Sequence, residues 1–409
     1  MTAWSCKNWD SQAFLQQALE SAAERHAIVY ALAFLPQTGG GGSGGGEAQQ
    51  LLAAGYSTGC IRAFDWRHAS HLWLGARQAA RHCLQWRAHE GGVYALAVVG
   101  AGSQSPVLLS AGDDGYIRGW SVEAIAAAAA RQQQQQQQQQ QFSGEPAAAA
   151  PAAVPAPKPL FEAALPRADP PFHVAAAGAP AAQTLSPDGA RGAVYVGASD
   201  GGLHCFDLAR LGQSGGGGGG GPSATLSGHA AAVLGSDCCG ATGQVATASE
   251  DATVRVWDAR AAAPCVAAID VWAGAAIPPA SKADALQCLR SPPATCVRFD
   301  GGGGWLVAGS GDGSLTMWGL GLGALAKQLK TGDCVPQALH MQPGEVLVAG
   351  SEPHLDRYRF SLESASRSEL ASGAAWALDV DPASGTVAVG GARGATLLSA
   401  FGTRLGQLV

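Results

Sequence analysis

The stretch Gln244–Asp258, QVATASEDATVRVWD, decides the fold. Apolar and polar residues alternate up to Ser249, Glu250-Asp251-Ala252 interrupts them, and alternation resumes from Thr253 to Trp257. A period of two on both sides of a short polar break marks two antiparallel strands joined by a hairpin turn. The turn acid Asp251 stands six positions before the aromatic Trp257. That spacing recurs at Asp114/Trp120, Asp200/Phe206, Asp312/Trp318 and Glu352/Tyr358, and at Thr58/Phe64 with a hydroxyl replacing the acid. A seventh copy, TVAVGGARGATLLSAF at 386–401, keeps the strand-turn-strand form and lacks both acid and aromatic.

Upstream of most copies lies a further apolar run, such as VYALAF (29–34), GVYALAVV (92–99), ATCVRFD (294–300) and AAWALDV (374–380). Linking segments such as ATLSGH (224–229) and ALAKQLK (324–330) supply a fourth strand. Four antiparallel strands per unit, repeated radially, predict a β-propeller. Setting aside the Gly tracts at 39–46 and 215–221, the stretch 123–158 and the first 26 residues leaves about 332 of the 409. That is roughly 47 per blade over seven blades, against a WD-repeat period of about 40–45. The reading is an all-β, seven-bladed WD-repeat propeller over 27–409, its last outer strand at Arg404–Leu408.

Residues 1–26 read as a separate helical extension, with Ser11 as N-cap and Phe14, Leu15, Ala18, Leu19 and Ala22 at helical spacing. The Ala/Gln/Pro stretch 123–158 reads as a disordered insertion within the second blade, because so few large apolar residues cannot offset ordering entropy.

Two blades carry a complete polar set. His229, Thr247, Asp251 and Trp257 form one, and His89, Ser110, Asp114 and Trp120 the other. Asp accepts from His, His reaches the hydroxyl, and the hydroxyl meets the indole N–H, so every buried polar group is satisfied. A hydroxyl, a histidine and an aspartate also suggest a hydrolase. Recurrence in two blades, each time with a Trp, favours a structural tetrad and no catalytic residue.

No metal or cofactor is expected. His68, His71 and His82 have no carboxylate or thiol at ligand spacing, and the Gly runs lack the G-K-[ST] ending of a phosphate loop. Ten cysteines without a C-x-x-C pair read as reduced thiols of an intracellular protein. The start, MTAWSCKNWD, has no signal-type apolar core, and no run approaches the ~18 apolar residues of a membrane span. A formal charge of −6 argues against wholesale nucleic-acid binding.

Two surface features are candidates for partner binding. Arg62, Arg67, Arg77, Arg81 and Arg87 interleave with Trp66, Trp73 and Trp86, a pattern open to three readings: a solvated loop, a protein interface or an RNA contact. Arg77, Arg81, Arg87 and Trp86 are the residues singled out. The second is Trp257-Asp258-Ala259-Arg260, in which Asp258 and Arg260 resemble the W-D-x-R motif of WD-repeat substrate receptors on cullin-based ubiquitin ligases.

In the order of its motifs the chain resembles the WD-repeat family of THO complex subunit 6. FLQQAL (14–19) is followed by RAHEGGVYALAV (87–98), LLSAGDDGYIRGW (108–120), LSGH (226–229), SEDATVRVWDAR (249–260), WLVAGSGDGSLTMWGL (305–320) and LLSAFGTRLGQLV (397–409). The insertion, the Gly tracts and weak third and sixth blades depart from that pattern. The resemblance implies a nuclear, non-catalytic scaffold that contacts coiled-coil subunits of a THO-like complex and supports messenger RNA processing and export. RNA contact would then be indirect or weak. The alternative is a ligase substrate receptor that engages an adaptor through Asp258 and Arg260.

Overall fold

The computed structural model describes residues 27–37, 50–67, 82–141, 154–167, 179–213, 220–258, 260–261, 264–278 and 291–408. The expected N-terminal helix, Arg77 and Arg81 lie outside them. Seven antiparallel sheets succeed one another along the chain: 29–87, 93–164, 182–226, 233–277, 294–330, 336–369 and 375–408, here blades 1 to 7. In each, the first strand lies innermost and the last outermost. Blade 7 takes its outer strand from Arg404–Leu408.

The spaced aromatics fall in one structural slot. Phe64, Trp120, Phe206, Trp257, Trp318 and Tyr358 stand on third strands opposite Leu52, Leu108, Val194, Val245, Leu306 and Val346. In blade 7 the same slot, opposite Val387, holds the fully buried Leu398. An aliphatic residue fills the place of the missing aromatic, and the strand pair survives.

The blades pack through small residues on their second strands. Gly55 faces Val93 of the next blade, Gly197 faces Val233, Gly309 faces Pro336, and Gly390 faces Val29 across the ring closure. The corresponding positions of blades 2, 4 and 6 are Ala111, Ala248 and Ala349, which share core clusters with Ala182, Ala294 and Ala375. Glycine thus meets a large side chain and alanine meets alanine, holding volume constant around the ring as close packing requires. A Cβ on Gly390 would come within 2.5 Å of the Val29 side chain, so this approach excludes one.

Two features differ from the sequence-based expectation. Blade 4 has five strands, because Gly274 at φ +62° turns the chain back and Ala275–Ile277 pairs with Cys265–Asp270. The insertion 123–158 is not disordered throughout: Val122–Gln141 is a helix, α1. Ser121 caps it by accepting the Ala124 N–H at 3.2 Å, and Glu123 favours its positive end. Val122, Ile125, Ala128 and Ala129 are buried in the cluster of Trp86 and Trp120. Alanine and glutamine are strong helix formers, so a composition that reads as low complexity here extends a short apolar anchor. A second helix, α2 (Leu208–Gln213), buries Leu211 between blades 2 and 3.

Candidate functional site

In blade 4 the His229 Nδ1 lies 3.0 Å from Asp251 and its Nε2 lies 2.7 Å from the Thr247 hydroxyl, which accepts the Trp257 N–H at 2.8 Å. In blade 2, His89 lies 2.8 Å from both Asp114 and Ser110, and the Trp120 N–H reaches Ser110 at 2.9 Å. Each chain of bonds assigns the imidazole proton to Nδ1 and leaves Nε2 to accept from the hydroxyl. Burial alone would raise Asp251, but hydrogen bonds from His229, Thr253 and the Ala230 N–H outweigh it and bring the carboxyl to about 2. Asp114 is likewise held well below the usual carboxylate range, burial being overcome by His89 and Arg118. Ser110 and Thr247 are fully buried between imidazole and indole, where no substrate reaches their oxygens.

The tetrad is incomplete in blade 5. Ala308 occupies the hydroxyl position, and the buried Trp318 N–H finds no acceptor among the described residues.

The proposed arginine–tryptophan surface is only partly a surface. Trp86 is 3% exposed and stacks edge-on against Trp120 at 5.8 Å, so it is a core anchor and not an interface residue. Trp66 is buried as well, 5.6 Å from Phe34. Arg62 lies over the Tyr56 ring and donates to Gln85 at 2.8 Å. Arg87 is exposed at the end of the outer strand. The structure therefore brings Trp86 to Trp120 and leaves Arg87 on the rim.

Arg260 is exposed, and its guanidinium closes on Asp258 at 2.6 and 2.8 Å and on the Thr242 carbonyl at 3.1 Å. The hydrogen bond from Arg260 holds the Asp258 carboxyl down at about 2. The guanidinium fork that an adaptor would need is directed at this chain's own acid and carbonyl.

Two groups escape a motif reading. Asp379 of blade 7 accepts the Phe34 N–H of blade 1 at 2.8 Å, and Asp237 of blade 4 accepts the Phe299 N–H of blade 5 at 2.8 Å. These carboxylates join neighbouring inner strands, and the first spans the ring closure. Burial raises both, Asp379 to about 6.

The second group lines the axial channel, a cavity of about 160 Å³. In every blade the pairing of inner and second strands slips by one residue at the same place. A β-bulge re-aims the residue it releases. The released residues of blades 7, 1 and 2 are Trp376, Tyr30 and Tyr94, and all three face the channel. Their signal in the sequence is the second position of the runs AW, VY and VY, visible only once the inner strands are aligned. Among the described residues no cluster suits a metal ion, and no helix is long and apolar enough to cross a membrane.

The WD domain, G-beta repeat family model matches residues 81–121, 220–258 and 286–319. The first two matches begin at or just before one blade's outer strand and end with the next blade's third strand, so each repeat staples two blades. The chain is a WD-repeat propeller. It is 27% identical to THO complex subunit 6 of Arabidopsis thaliana over 328 residues, covering 78% of this chain and 74% of that protein.

Proposed function

We propose that this propeller is a non-catalytic scaffold subunit of a THO-type complex, acting in the nucleus in support of messenger RNA processing and export. The observation that carries the reading is similarity to a THO complex subunit over 78% of the chain. The chemistry agrees with it: the polar sets that resemble catalytic groups are consumed in internal hydrogen bonds. Coiled-coil subunits of the complex are the proposed partners, engaged through a broad surface that includes Arg77, Arg81 and Arg87. RNA is contacted indirectly or weakly, in keeping with the negative net charge.

The ligase-receptor reading predicts a sharp dependence on Arg260, whose fixed fork would bond the adaptor. The observed fork is directed at Asp258, which favours the scaffold. Affinity purification from nuclear extract separates the two. Arg260→Ala retains co-purifying THO subunits, and the joint Arg77→Glu and Arg81→Glu change weakens them. Loss in Arg260→Ala with retention in the joint variant reverses the assignment.

A further inference from the structure

Three consecutive blades place their bulged aromatic residues together. Tyr30 is the centre, its ring 5.5 Å from Tyr94 and 6.3 Å from Trp376, the latter edge-on. All three are half-buried. Gly92 lies beside them, and a Cβ there would stand 3.3 Å from Tyr94 and 3.5 Å from Tyr30. A side chain at this position would press on both tyrosine rings.

We propose that this mouth seats a Lys or Arg side chain from an extended segment of a protein partner, held over the rings of Tyr30, Tyr94 and Trp376. The inference rests on the scaffold reading and names one surface by which it works.

Three observations select a cation. The π-faces of Tyr and Trp attract an ammonium or guanidinium within about 6 Å of the ring centre. Asp113 accepts the Tyr94 hydroxyl at 3.4 Å, placing a carboxylate beside the rings. The turns between second and third strands surround the same mouth. Five of these seven carry acids, and only the blade 7 turn carries a base, Arg393. Asp312 is paired with Lys330 and Asp114 with Arg118, while Asp113, Glu250 and Glu352 have no ion pair among the described residues. A negative rim steers a basic segment and repels a phosphate backbone, so a peptide fits where a single-stranded nucleic acid does not. The amides of Gln183 and Gln337, released by the bulges of blades 3 and 6, flank the aromatic trio on either side and suit hydrogen-bonding to an extended backbone.

The test uses the full chain and fluorescein-labelled Gly-Ser peptides with a central Arg-Ala-Arg or Lys-Ala-Lys, read by fluorescence anisotropy. Matched peptides carry norleucine or Glu at the charged positions. The basic peptides bind and weaken with added salt, and the norleucine and Glu peptides do not bind. Trp376→Leu, which keeps apolar bulk, weakens binding about tenfold. Gly92→Leu, which sets a side chain against both tyrosine rings and leaves the three aromatic residues in place, does the same. Equal binding to the parent and both variants, equal binding of the norleucine peptide, or preference for oligouridylate at these rings overturns the inference. A parent chain that captures THO subunits from extract but binds no basic peptide overturns this inference alone and leaves the scaffold standing.

Discussion

Asp251 receives four hydrogen bonds, from His229, the Ala230 N–H, and the N–H and hydroxyl of Thr253. Removing it strands buried donors, and a buried donor without a partner costs about 1–3 kcal/mol. Asp251→Ala therefore unfolds in less urea, with its free energy of unfolding lowered by that amount. Its carboxyl is depressed in the fold, so its contribution is fully present above the unfolded value near 4 and is lost as pH falls toward 2. Asp379 has the opposite sign. Its folded value of about 6 lies above the unfolded one, so between pH 4 and 6 the folded state holds the extra proton and rising pH reduces stability. Asp379→Asn keeps an acceptor for the Phe34 N–H and lacks this loss. Relative to the variant, the parent should lose about 2 kcal/mol between pH 4 and 6, measured by urea unfolding at each pH. The tetrad was readable because acid, hydroxyl and Trp stand at fixed spacings. Asp237 and Asp379 were not, since their partners are backbone N–H groups 62 and 345 residues away.

Strand pairs carry local signals, and packing between blades does not. The hairpins, the aromatic slot and the outer strand at Arg404–Leu408 follow from alternation and turn residues that lie within a few positions of one another. The exchange of Gly–Val for Ala–Ala around the ring couples residues of adjacent blades and emerges only when they are superposed. It makes a specific prediction at the closure. Gly390→Ala drives a methyl into Val29 and destabilises by about 1–3 kcal/mol, and Val29→Ala in the same chain restores much of that loss. Additive losses in the double variant, measured by denaturant unfolding, would show that the two positions do not compensate. Helix α1 was hidden for a different reason. Its anchor is only four side chains, Val122, Ile125, Ala128 and Ala129, and the Ala and Gln that follow carry no periodicity. Ile125 is fully buried, so Ile125→Ala should cost about 2–4 kcal/mol. An unchanged melting curve would return the segment to the disordered insertion that its composition suggests.

The whole molecule is a closed ring whose ends meet without exchanging a strand. Blade 7 is built from one continuous stretch, and blade 1 docks on it through Val29, Leu32, Phe34 and the Asp379 bond. Such a ring presents two broad faces and leaves the choice of partner to side chains at the rim and the mouth. A surface of that kind distributes binding over many contacts, with a few aromatic and Arg anchors dominating. Coiled-coil subunits of a THO-type complex are the proposed partners, and the Tyr30, Tyr94 and Trp376 cluster is the proposed seat for one of their basic side chains. The most direct measurement mixes the purified chain with purified THO core subunits from the same source and follows sedimentation velocity. For a scaffold subunit of such a complex, the 41.2 kDa species disappears into a larger complex of fixed stoichiometry. A chain that sediments as the free 41.2 kDa protein at micromolar concentrations of both would contradict it.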